Sequence, residues 1–99
     1  MVERRVTIGW SEGLHARPAS IFVRAATATG VPVTVARAGG TPVNAASMLA
    51  VLSLGAQGGE EIVLASPAEG PEATGAAEAA LERLARLVSD GLDELPETV

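Results

Sequence analysis

Ninety-nine residues with a formal net charge of −5 suffice for one domain but not for a core plus a large enclosed substrate pocket, so any chemistry is expected at the surface. Apolar residues make up 47% of the chain, yet its aromatics are Trp10 and Phe22 alone, which leaves Ala, Val and Leu to fill the core. The absence of cysteine excludes a disulfide framework and a thiolate metal site, and no apolar run approaches the ~20 residues that span a bilayer.

The first strand is expected over residues 5–10, where Val6, Ile8 and Trp10 alternate with polar residues. The opening Met1-Val2-Glu3-Arg4-Arg5 has no apolar run behind it, so no signal peptide, no membrane insertion and a cytoplasmic location are expected. Ser11-Glu12-Gly13 breaks the strand. From residue 16 or 17 to about 29, Ala19, Phe22, Val23 and Ala26 recur at helical spacing. Pro18 fits only in the first turn of that helix, where its missing N–H costs nothing, and Gly30 supplies the stop.

A second strand is expected over residues 31–36 with Val31, Val33 and Val35 inward, and Pro32 near its start suggests an edge. Gly39-Gly40 turns the chain into a short third strand at residues 41–43, which makes a hairpin. A short helix follows over about 46–53, bearing Met48, Leu49, Val51 and Leu52. Gly58-Gly59 marks a turn, residues 60–65 form a fourth strand, and a long helix spans about 72–90. In that helix Glu72 near the start and Arg83 and Arg86 toward the end suit the dipole. Residues 1–90 are read as one domain and 91–99 as an acidic, frayed tail. The order β-α-β-β-α-β-α is the split-βαβ arrangement of an α+β domain, an antiparallel or mixed sheet with helices on one face and solvent on the other.

Charge is unevenly placed. Residues 1–59 carry a net +3, and residues 60–99 a net −8. An acidic helix that aids solubility explains this; a mildly positive half kept for an acidic partner explains it too. Nucleic acid is not an expected partner, because no basic stripe with interleaved aromatics is present.

His15 is the one histidine, at the strand-to-helix turn, with Arg17 two residues on. A lone histidine in a small domain is most often incidental. Here the helix start enforced by Pro18 places it where unpaired N–H groups make an anion site. An imidazole can serve as a neutral nucleophile near neutral pH, and a guanidinium fork suits phosphate oxygens. These residues therefore point to a phosphoryl group carried on His15. No second His or Cys supports a metal site, and no cofactor is implied. Ser11 and Ser20 lack the buried acid and oxyanion hole of a hydrolase, which also weakens a small histidine-dependent phosphatase as a rival.

Gly13-Leu14-His15-Ala16-Arg17-Pro18-Ala19 resembles the active-site motif of the HPr family, the phosphocarriers of the bacterial phosphoenolpyruvate:sugar phosphotransferase system. Ala46-Ser47-Met48-Leu49-Ala50-Val51-Leu52-Ser53-Leu54-Gly55 resembles that family's short second helix. Together with length and element order, the likeness covers about residues 3–90. It implies an open-faced β-sandwich: a four-stranded antiparallel sheet with three helices packed on one face. It also implies a carrier, not an enzyme. Nδ1 of His15 would accept a phosphoryl group from enzyme I and donate it to enzyme IIA domains, with Arg17 pairing with the phosphate. The backbone N–H groups of Ala16 and Arg17 would contact it. By the same analogy Met48, Leu49 and Leu52, with Phe22 nearby, would form an apolar docking patch, although half or more of these side chains should be core by periodicity. Some members are regulated by a serine kinase/phosphorylase at the position of Ser47, which here follows Ala46; as a helix N-cap Ser47 needs no further role. A monomer is expected. The rival within the same fold is a regulatory paralogue that binds partners without carrying flux, and retention of His15 weakens it.

Overall fold

The computed structural model describes residues 1–91 and holds the seven elements in the expected order: β1 (Val2–Thr7), α1 (Ala16–Ala28), β2 (Thr34–Arg37), β3 (Val43–Asn44), α2 (Met48–Ser53), β4 (Glu61–Ser66) and α3 (Pro71–Asp90). Every strand pair is antiparallel and the order across the sheet is β1-β4-β2-β3, which settles the antiparallel alternative. The acidic tail expected beyond Gly91 lies outside the described residues.

Residues paired across strands share a face, so the registers Val6↔Ile62 and Leu64↔Val35 line up one apolar inner face. Against it pack Phe22 and Ala26 of α1, Val51 of α2, and Leu81, Leu84 and Val88 of α3, all buried. The first strand begins earlier than expected, at Val2, and its ladder ends at Thr7. Ile8 and Trp10 nevertheless continue the buried stripe, because Ile8 N–H donates to Glu60 O at 2.9 Å and Gly9 N–H to Val88 O at 2.8 Å. The opposite sheet face is not fully solvated. Glu3, Arg5 and Thr7 stand on it, but so do Ala36 and Ala65, whose small side chains are buried among their neighbours.

Local chemistry explains the other shifted boundaries. Val31 and Val33 precede β2, which starts at Thr34; Gly30 at φ 72 and Pro32 keep the chain off the ladder until then. The second helix starts at Met48, not Ala46, since the Asn44 side chain accepts from Ala46 N–H at 2.9 Å in an Asx turn and Ser47 becomes the N-cap. Ser47 Oγ accepts from Ala50 N–H at 3.3 Å. Ser47→Ala should lower stability by about 1 kcal/mol through loss of this cap, as urea unfolding would show. The dipole reading of α3 needs correction at its C-terminal end. No basic residue lies in its last turn, Asp90 does, and Arg86 pairs instead with Glu82 at 3.5 Å. The helix ends on Gly91 in the left-handed region (φ 60), whose N–H donates to Val88 O at 3.2 Å.

One buried polar group lacks a partner. Ser66 is 1% exposed and its Oγ meets no hydrogen-bonding group among the described residues. An unsatisfied buried hydroxyl destabilises, so Ser66→Ala should raise stability by about 1 kcal/mol, with thermal unfolding as the check. An unchanged or lowered midpoint would mean the hydroxyl is satisfied.

Candidate functional site

The candidate site is built where the chain leaves the sheet for α1. Gly13 takes φ 78, which favours glycine, and a side chain there would run into the Ala56 carbonyl. Leu14 then turns fully into the core, at 0% exposure, and its N–H donates to Ala56 O at 2.9 Å. With Leu14 anchored inward, the next residue emerges. His15 is exposed, with extended backbone (φ −121, ψ 153), and is the N-cap of α1, but its ring does not cap the helix. Neither Ser11 nor Ser20 hydrogen-bonds the imidazole, so the hydrolase arrangement is not formed.

Ala16 stands at φ 42, the one non-glycine residue with positive φ among those described. Such a conformation costs about 1–3 kcal/mol and persists where its surroundings enforce it. Here Leu14 is held in the core on one side, and Ala19 N–H is bonded to His15 O at 3.3 Å on the other. Pro18 has no N–H to give. The N–H groups of Ala16 and Arg17 meet no acceptor among the described residues, which leaves two donors beside the imidazole. Arg17 is exposed and forms no ion pair among the described residues, unlike Arg5, Arg37 and Arg86. The sequence reading of Pro18 as the fixer of the helix start holds; the strain at Ala16 was not foreseeable from an alanine in a helical pattern.

The apolar patch is only partly as expected. Leu49 is 82% exposed and Leu52 36%, and both belong to α2, which packs on α1; Met48 is half-buried. Phe22 is corrected: at 0% exposure it is core and offers partners no surface. Its stripe with Ala19 and Ala26 on α1 already carried that signal.

A shallow depression lined by Glu69, Gly70, Pro71, Glu72 and Ala73 contains none of these residues. It lies at the start of α3, whose 20 residues place it roughly 30 Å from the Gly91 end that rests on Gly9 and Trp10. Among the described residues, no helix is long and apolar enough to cross a membrane.

A nucleophile exposed at a helix start, next in sequence to two unengaged backbone donors, suits a group carrier that delivers its cargo to another macromolecule. The comparisons with known proteins agree. The family model for the "PTS HPr component phosphorylation site" matches residues 2–90. The chain is 80% identical over 99 residues to "Phosphocarrier protein HPr" of Streptomyces coelicolor, covering all of both chains. Among solved structures it is similar to an HPr from Bacillus anthracis, with TM-score 0.74 and 36% identity over 88% of this chain and 95% of that one. The HPr-C-His structure from Thermoanaerobacter tengcongensis is similar with TM-score 0.76 and 33% identity, over 96% of this chain and 100% of that one. The chain belongs to the HPr family, the phosphocarriers of the phosphoenolpyruvate:sugar phosphotransferase system. Its function is to carry phosphoryl groups, and it is not itself a catalyst.

Proposed function

We propose that His15 is the residue phosphorylated, at Nδ1, by phospho-enzyme I, and that it passes the phosphoryl group to sugar-specific enzyme IIA domains. The observation that carries this reading is the exposed imidazole flanked by the unengaged N–H groups of Ala16 and Arg17. In each transfer the P–N bond to the donor imidazole breaks as a new P–N bond forms in line, and the transferred group carries its negative charge throughout. Little covalent work falls to the protein, so positioning and charge stabilisation do most of it. Arg17 supplies a planar fork for two phosphate oxygens, and the two backbone donors hold the group at the helix start. An exposed site binds this cargo weakly enough to release it.

Met48, Leu49 and Leu52 form the face on which both partners dock, with the exposed Leu49 at its centre. Ser47 acts first as a cap, accepting from Ala50 N–H, and the same hydroxyl is the group a serine kinase would modify. The protein works as a cytoplasmic monomer, with residues 1–90 as the carrier domain and 91–99 as an acidic tail. Retention of His15 weakens the regulatory alternative of the same fold.

Incubation with phosphoenolpyruvate and enzyme I tests the proposal by intact mass. The expected product has gained one phosphoryl group and loses it in acid, because phosphohistidine is acid-labile. An acid-stable gain, or none, would refute the reading.

A further inference from the structure

The loop that follows α2 bears no candidate catalytic side chain, yet it backs the whole His15 turn. Ala56 O receives Leu14 N–H at 2.9 Å, Gly59 N–H donates to Ile8 O at 3.0 Å, and Glu60 O receives Ile8 N–H at 2.9 Å. These bonds straddle Trp10–Gly13, a turn closed by Gly13 N–H to Trp10 O at 3.0 Å. Between them two glycines interlock. A side chain at Gly13 would meet Ala56 O and Gln57 Cα, and one at Gly58 would meet the carbonyl oxygens of Ser11 and Trp10. Both obstacles are backbone, which cannot swing aside as a side-chain tip can. Gly58 shows no positive φ, so sterics alone and not conformation demand glycine there. Neighbouring Gly55 and Gly59 have open space where a side chain would go.

We propose that Gly58 is a positioning residue for phosphoryl transfer: its missing side chain lets the 56–58 loop seat against Trp10–Gly13 and so sets the direction in which His15 and the Ala16 and Arg17 donors leave the surface. This rests on the reading of His15 as the acceptor. The coupling is short. Leu14, which is bonded to Ala56, is fully buried and immediately precedes His15, so a shift of the 56–58 backbone passes to the imidazole through one residue. The strained Ala16 next in line is where such a shift would be taken up. A displacement of about 1 Å in a reacting group can slow a reaction by up to a hundredfold.

The test compares Gly58→Ala with Gly9→Ala, each under conditions where circular dichroism shows it folded. The control is matched: a side chain at Gly9 also meets backbone, the Ser89 carbonyl and Gly91 N, but on the α3 side of the turn. Transfer from phospho-enzyme I per folded molecule should slow at least tenfold in Gly58→Ala and less than threefold in Gly9→Ala. Hydrogen exchange at the Leu14 amide should accelerate in the first and not in the second. Should Gly58→Ala fail to fold, Ala56→Gly loosens the same loop and should also slow transfer at least tenfold. Parental transfer rates in the folded variant, or equal slowing in both glycine variants, would overturn the positioning role while phosphorylation of His15 in the parent stands. Absence of label on His15 in the parent would instead overturn the acceptor reading, and the positioning role with it.

Discussion

His15→Ala should accept no phosphoryl group from phospho-enzyme I, while its unfolding midpoint stays within about 1 °C of the parent's. The loss is complete because no second imidazole exists in the chain to take over. Stability is spared because the His15 side chain is exposed and its ring makes no capping bond, so truncation leaves no cavity and no orphaned donor. Intact mass and a thermal melt measure the two halves of this expectation. Labelling that persists in the variant would move the acceptor elsewhere; a collapsed melt would mean the ring has a structural partner.

The second large effect is expected at Arg17. Arg17→Ala should slow transfer by about ten- to a hundredfold, less than the roughly hundred- to thousandfold lost with one donor in a water-excluded site, because Arg17 is exposed. Again the melt should not move, since the guanidinium is exposed and makes no ion pair among the described residues. Arg17→Lys separates charge from geometry: a lysine restores the charge but not the planar fork, so an intermediate rate is expected. Full recovery with lysine would show that charge alone suffices. Equal rates in all three proteins would remove Arg17 from the phosphate site and leave the two backbone donors to hold the group.

Much of this site could be read from the sequence because backbone rules act on it locally. Pro18 fits only in a first turn, which puts the helix start within a few residues of it, and α1 opens at Ala16 with His15 as its cap. Gly30 stops the same helix for an equally local reason, and the alternation of Val6, Ile8 and Trp10 announced a buried stripe. What escaped the sequence depends on contacts between distant segments. Nothing local to Gly58 says that the carbonyls of Ser11 and Trp10 lie where its side chain would be, and nothing local to Ala16 demands φ 42. Phe22 is a different kind of miss. Its spacing with Ala19 and Ala26 placed it in the core, and the family analogy drew it to the surface; the physical pattern was the better guide. At α2, Asn44 takes the Ala46 N–H and Ser47 the Ala50 N–H, which moves the helix start by two residues, a choice that composition alone leaves open.

Nitrogen–phosphorus coupling in the isotope-labelled, freshly phosphorylated protein tests, at single-atom resolution, the placement of the phosphoryl group on Nδ1 of His15. The expected spectrum shows one coupled imidazole nitrogen, Nδ1 of His15, and the largest amide shifts at Ala16 and Arg17. Phosphorus coupled to Nε2, or a phosphorus signal with no nitrogen partner, would contradict it.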